Sequence, residues 1–311
     1  MNDEILPKKQ CIFSCFIDIF QENSGFLLQK KADPVRFPGE FFPYLEEDSC
    51  QGYRGKHTDY VCAKQNAYAD HIGVDYKFFN DIDFLNSLWK KYNLKRTGFE
   101  DVYHYAFLLI DYLFNELGYD QIAYLDIDIV PFIFKKDSYQ SVFTDSYKLQ
   151  VTYNKPRSPK YDLLNQYYEI SSYEKHSKYK QISDCVQCNT GVVSFDKTFW
   201  NETKFLTRYI QCQQHGFKAD DEVLFSAVIA QLAEHDALPE TLDWSSNIIV
   251  RNNSELNHAI FDKLNYNWSP ISFIHFTTSV GKDFLYSIAD NTDNTMETRI
   301  DRVIDFYKKI S

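Results

Sequence analysis

Glycine and proline are scarce, at 10 and 9 of 311 residues, and no low-complexity tract or repeating period runs through the chain. That excludes collagen-like, linker-rich and solenoid architectures. No run of about 18 apolar residues occurs, so no membrane-spanning helix is expected. Positive charge is in deficit as well: 33 Lys and Arg stand against 44 Asp and Glu, a formal net charge of −11. Binding along a phosphate backbone needs a basic surface, so nucleic acid is not an expected partner. A nucleotide stays admissible, because a bound metal can supply the missing positive charge.

The cysteines (Cys11, Cys15, Cys50, Cys62, Cys185, Cys188 and Cys212) are odd in number and irregular in spacing. They do not read as a secreted disulfide framework, and reduced thiols in the cytosol fit them better. Cys185 and Cys188, with Cys212 and His215, have the residue types of a structural zinc set, but a strand and a helix would have to fold back to close it. Unpaired thiols are the simpler reading. Near the start, KKQCIFSCFIDIF puts lysines before an apolar run, yet Asp18 interrupts it and no small-residue cleavage site follows. The expected compartment is the cytoplasm, either free or peripheral to a membrane.

What the chain has in quantity is aromatic side chains, 26 Phe and 23 Tyr, enough for a well-packed core. Residues 11–20 read as a first strand, and 58–73 as a helix stopped by Gly73. Residues 74–80 read as a second strand. The segment 97–120 has helical apolar spacing (Val102, Ala106, Leu109, Leu113, Leu117), a Thr97/Glu100 capping box and a stop at Gly118. Further strands are expected at 146–154, 188–196 and 271–278, with helices at 200–214 and 221–234. Strands alternating with helices predict an α/β fold with a mostly parallel central sheet flanked by helices. We expect one domain over 1–311, with a basic, tyrosine-rich insertion at 155–184 on the acceptor side and a docking helix at 294–310.

Within this frame the stretch AYLDIDIVPF, 123–132, sets Asp126 and Asp128 inside an apolar run. It reads as one buried strand whose alternation sends both carboxylates to the same side. Carboxylates are costly there unless something neutralises them, and oxygen ligands suit hard cations such as Mg²⁺ and Mn²⁺. In such sheets, ligands bind beyond the carboxyl ends of the strands. The nearby Asp81-x-Asp83 shares the pattern, but Asn80 and Asp81 are expected to begin a turn. As a structural alternative, Asp126 and Asp128 could cap backbone amides, and Asp221 and Glu222 could serve only as helix N-terminal acids.

Four segments, LDID (125–128), NTGVVSF (189–195), ADDEVLFS (219–226) and IHF (274–276) followed by Gly281 and Lys282, resemble, in that order, the nucleotide-sugar glycosyltransferases of the GT-A fold. The nearest pattern is glycosyltransferase family 8. The resemblance implies a metal-dependent transfer of a sugar from a nucleotide-sugar donor, UDP-sugar favoured, to a saccharide or glycoconjugate acceptor. It implies that Asp126, Asp128 and His275 hold Mn²⁺ or Mg²⁺. It further implies that Asn189, Thr190 and Gly191 lie beside the donor sugar, that Gly281 and Lys282 meet its diphosphate, and that Asp221 and Glu222 work near the reacting carbon. Two departures stand out. Lys282 comes one residue later than the family pattern and is followed by Asp283 and Phe284 instead of Pro-Trp; Glu222 stands where the family has Gln. A carboxylate there could act as general base in an inverting transfer or stabilise positive charge in a retaining one. Two other readings remain open: a sugar-nucleotide nucleotidyltransferase, which shares the architecture but normally carries a Gly-rich loop after the first strand, and a non-catalytic nucleotide-sugar-binding module.

Overall fold

The computed structural model describes residues 7–17, 57–94, 99–133, 142–143, 149–153, 188–214, 221–233, 240–241, 247–249, 271–276, 281–282, 285 and 288–289. The expected insertion at 155–184, the docking helix at 294–310, and Cys50, Cys185 and His215 lie outside them. So does Thr97 of the expected capping box.

Two sheets organise the chain. The larger takes β1 (Gln10–Cys15), β2 (Asp75–Phe79), β3 (Gln121–Leu125), β5 (Leu149–Tyr153), β6 (Cys188–Asp196) and β7 (Glu240–Thr241) in the order β2-β1-β3-β6-β5-β7. Pairs β1–β2, β1–β3 and β5–β7 are parallel, whereas β6 runs antiparallel to both β3 and β5. The smaller sheet, β4-β9-β8, joins β4 (Ile129–Ile133), β9 (Ile271–His275) and β8 (Asn247–Ile249). The fold class is the one expected: α/β, with a mostly parallel central sheet flanked by helices.

Side-chain alternation along the central strands separates two cores. Cys11, Phe13, Ile122, Tyr124, Val193 and Phe195 face α3 (Tyr105–Asn115), α5 (Phe205–Gln214) and α6 (Asp221–Ala233). Ile12, Ala123, Leu125 and Val192 face the opposite way, towards Tyr68 and Ala69 of α1 (Thr58–Ile72) and Ile129 and Phe273 of the small sheet. Helix α3 buries eight of its residues, so its apolar surface runs well beyond one stripe. Aromatic rings fill the first core: Phe205 lies within 5.4 Å, centroid to centroid, of Phe195, Trp200 and Phe225. Such pairs contribute roughly 0.5–1.5 kcal/mol each beyond burial.

Several local expectations need correction. The segment 121–132 is not one strand: β3 ends at Leu125, the chain turns through 126–128, and β4 joins the other sheet. The long helix at 97–120 starts as a 3₁₀ turn at Phe99–His104, and its α-helical part stops at Asn115. Gly118 does mark its end, adopting φ 71° while Tyr119 N–H returns to Leu113 O at 3.2 Å. Gly73 ends α1 in the same way, at φ 75°. The helix expected at 200–214 is two, α4 (Lys197–Glu202) and α5, because Lys204 takes a left-handed φ of 50° and Thr203 Oγ donates to Phe199 O at 2.7 Å. Asp81 begins a helix, α2 (Ile82–Lys91), whose first amides at Asp83 and Phe84 donate to its carboxylate. That pair of aspartates therefore serves a helix end. The first and last expected strands are shorter than read, ending at Cys15 and His275.

His104 sits between α3 and α5, 2% exposed, its Nδ1 2.7 Å from Tyr209 Oη. Burial holds its pKa down, to about 3. The unfolded chain, with an ordinary histidine near 6.5, then binds more protons across the window from about 6.5 down to about 3, so acid favours unfolding there by up to ~1.4 kcal/mol per pH unit. Urea melts of the parent and His104→Phe between pH 7 and pH 4 should show the variant losing less stability as pH falls. Parallel pH dependences would contradict a neutral, buried His104.

Candidate metal centre

The break after Leu125 assembles the site. The carbonyl of Asp126 accepts from Ile129 N–H at 3.0 Å, closing a turn, and Asp126 N–H donates to Gly191 O on β6 at 2.9 Å. The carbonyl of Asp128 accepts from Phe276 N–H at 3.0 Å. Pairing of β4 with β9 sets Ile129 opposite His275. Three distant stretches of chain thus meet through backbone bonds. The two carboxylates converge because the strand turns, not through alternation along one strand as expected.

His275 Nε2 lies 3.3 Å from Asp128 Oδ1 and 3.9 Å from Asp126 Oδ2. Lys282 Nζ is 3.2 Å from Asp128 Oδ2, so its later position in the chain does not remove it from the site. Gly281 precedes it, buried and helical, while 277–280 lie outside the described residues. Tyr124 Oη donates to Asp126 Oδ1 at 2.5 Å, which leaves Oδ2 as the oxygen turned towards His275. Asp128 and His275 are both 5% exposed.

Burial and the neighbouring Asp128 carboxylate raise the pKa of Asp126. Burial also opposes ionisation of Asp128, but the charges of Lys282 and His275 outweigh it and hold its pKa below the carboxylate range. For His275 burial disfavours the charged ring, yet Asp128 and Asp126 outweigh that and the net shift is upward. The buried Asp128 and the partly exposed Asp126 therefore face one ammonium and one imidazole.

Those residues fit a divalent ion. One ligand atom from each of Asp126, Asp128 and His275 lies within 4.8 Å of the other two. Bonds to Mn²⁺ or Mg²⁺ are near 2.1 Å, so a single ion can reach all three with modest adjustment. Two oxygens and an imidazole nitrogen are a donor set suited to Mn²⁺.

Strand β6 carries the next layer. Val151 pairs with Val193 but Thr152 with Asn189, so residues 190–192 bulge relative to β5. Asn189 Nδ2 donates to Glu222 Oε1 at 2.7 Å while its Oδ1 accepts from Gly191 N–H at 3.1 Å, fixing the amide's orientation. Thr190 Oγ donates to Asp221 Oδ2 at 2.5 Å. Ser226 Oγ, bonded to Glu222 O and to Cys188 N–H, ties α6 to the start of β6. The sequence-predicted residues of 126–128, 189–191, 221–222, 275 and 282 thus form one connected constellation.

Sequence reading missed Tyr124, Gln65 and His57. Tyr124, near the end of β3, stands two residues before Asp126, and its hydroxyl reaches that carboxylate. Gln65 is a fully buried amide whose Nε2 lies 3.0 Å from Asp126 O; a polar residue on the inward face of α1 was its only signal. His57, 2% exposed, precedes α1. Burial lowers its pKa to about 4, with Asp128 acting against that shift and Lys282 adding to it. Cys188 and Cys212, half of the zinc set, are buried in the first core.

No protein-family model and no curated protein sequence matches the chain. Solved structures do resemble it. One is a glycosyltransferase involved in the glycosylation of the major capsid of PBCV-1, 11% identical, with 91% of this chain and 100% of that chain covered and a TM-score of 0.48. Another is the WbbM bifunctional glycosyltransferase, 12% identical over 96% of this chain and 52% of that one, TM-score 0.43. A third is the galactosyltransferase LgtC with donor and acceptor sugar analogs, 12% identical over 93% and 99%, TM-score 0.38. At such identities and scores likeness says nothing about chemistry, which the side chains must carry.

Gly191 has a steric role at the centre. A Cβ there would lie 2.6 Å from His275 Cε1 and 2.9 Å from its Nδ1. Gly191→Ala should therefore displace the imidazole and cost about 1–3 kcal/mol, as overpacking does. Denaturant melts together with the His275 ring resonances measure both effects. Unchanged stability and unchanged ring shifts would show that the ring does not rest on this glycine.

Proposed function

We propose that this chain is a metal-dependent glycosyltransferase of the GT-A type, nearest family 8, moving a sugar from a nucleotide-sugar donor to a saccharide-like acceptor. One observation carries the reading. Asp126, Asp128 and His275 converge beside Lys282, and through Gly191 they adjoin a second group of polar residues: Asn189, Thr190, Asp221 and Glu222. A strand-end cap for backbone amides would explain neither the inward imidazole of His275 nor the Lys282 ammonium paired with Asp128.

In this reading Asp126, Asp128 and His275 Nε2 hold Mn²⁺ or Mg²⁺. When bound, the ion neutralises the diphosphate and stabilises it as a leaving group. Lys282 adds a mobile positive charge for the same phosphates, released from Asp128 once that carboxylate has another cation. Gly281 lets the chain approach the phosphates. Asn189, Thr190 and Gly191 line the donor sugar, and the Asn189 amide holds Glu222 in place. Asp221, tied to Thr190, orients sugar hydroxyls. Glu222 takes the acceptor's proton if the transfer inverts; if it retains configuration, the same carboxylate stabilises positive charge on the sugar. UDP is the favoured nucleotide. The segment 155–184 is assigned to the acceptor side. No helix among the described residues is long and apolar enough to cross a membrane.

The test is a thermal-shift screen with UDP-, GDP- and dTDP-sugars, with Mn²⁺ and with EDTA. A donor at a hundred times its Kd adds about 2.7 kcal/mol to stability. We expect that gain from one nucleotide class, only with metal, and lost in Asp128→Asn while the variant still melts cooperatively. A gain unaffected by EDTA or by Asp128→Asn would refute the metal role. Binding without hydrolysis or transfer to any acceptor would favour the non-catalytic module.

A further inference from the structure

Where the chain leaves the main sheet, the carbonyls around the turn are met by buried side chains. Ser14 Oγ lies 2.5 Å from Leu125 O. Gln65 Nε2 donates to Asp126 O at 3.0 Å and to Ile129 O at 2.9 Å. Both hydrogens of one amide therefore bridge the two ends of the segment that carries Asp126 and Asp128. The other end of that amide is held too: Gln65 Oε1 accepts from Tyr76 Oη at 3.0 Å, and Ser14 Oγ is 2.5 Å away. Reversing the amide would set its oxygen against two carbonyl oxygens, so its orientation is fixed. Ser14 and Gln65 are both fully buried, and Gln65 projects from the middle of α1, a fifteen-residue helix.

From these contacts we infer that Gln65 is a positioning residue for the carboxylate pair. By clamping the backbone before and after Asp128 to a rigid helix, it sets the separation of Asp126 and Asp128 and hence their affinity for a divalent cation. It does not ligate; it acts through the carbonyls of the turn. No other side chain of similar length offers two donors and an acceptor in this arrangement. Glutamate would present oxygen to oxygen, and methionine would fill the space while removing the amide's bonds to both carbonyls. The inference rests on the metal-site reading above.

The test uses the full chain and Mn²⁺ alone, with free Mn²⁺ counted by EPR and melting followed in EDTA. Gln65→Met should still melt cooperatively while its Kd for Mn²⁺ rises by about tenfold or more, the scale of outer-shell substitutions at metal sites. Tyr76→Phe, which removes the hydroxyl that donates to Gln65 Oε1 and also meets Cys62 and Ser14, should raise Kd less, by about threefold. Tyr209→Phe, which removes a buried hydroxyl in the α3–α5 core, should lower the melting temperature and leave Kd unchanged. That control separates positioning from general destabilisation. Parental Kd in Gln65→Met would overturn the inference and leave the metal site standing. No Mn²⁺ binding by the parent chain would overturn both. If Gln65→Met fails to fold, Tyr76→Phe decides: an unchanged Kd there overturns the inference.

Discussion

Everything at this site depends on one departure from regular structure, the change of sheets between Leu125 and Ile129. A strand that leaves its sheet forfeits ladder hydrogen bonds, and in a buried place each lost partner costs roughly 1–3 kcal/mol. This chain replaces them with bonds from elsewhere. Gly191 O takes the Asp126 amide, and Phe276 N–H serves the Asp128 carbonyl. Gln65 serves the carbonyls of Asp126 and Ile129. The same bonds draw β6, β9 and α1 against the turn. Satisfying the backbone and assembling the constellation are one event.

The constellation carries an electrostatic demand that the fold alone meets only in part. Asp128 is held ionised by Lys282 and His275, whereas burial and the charge beside it push Asp126 upward. A site poised in this way accepts more positive charge readily, and a hard divalent cation with an anionic diphosphate is a matched pair for it. Rigid surroundings keep the groups in register: aromatic packing on one face of the sheet and α1 on the other leave the turn little room to relax.

Much of this was legible in the residues, and the reasons are physical. Helices α1 and α6 and strand β6 appeared near their true bounds because their apolar patterns are long and their ends are marked, by Gly73 at α1 and by Asp221 and Glu222 at α6. The convergence of Asp126, Asp128, His275 and Lys282 agreed with the ordered motifs. What escaped was decided by backbone geometry that composition does not encode. Nothing in AYLDIDIVPF distinguishes one strand from two, since both halves are apolar and the break is stabilised by partners 60 or more residues away, such as Gln65 at a separation of 61. Lys204 splitting one helix into two is likewise a left-handed residue with no glycine to announce it. Asp81 reads as the start of a turn, but the spacing of Ile82, Leu85, Leu88 and Trp89 after it is helical, and these four are the buried face of α2.

The most direct measurement is anomalous scattering from crystals of the chain grown with Mn²⁺. The account predicts one strong peak within bonding distance of Asp126 Oδ2, the Asp128 carboxylate and His275 Nε2, with Lys282 Nζ moved off Asp128. A peak elsewhere, or no peak at saturating Mn²⁺ with Lys282 still paired to Asp128, would contradict it.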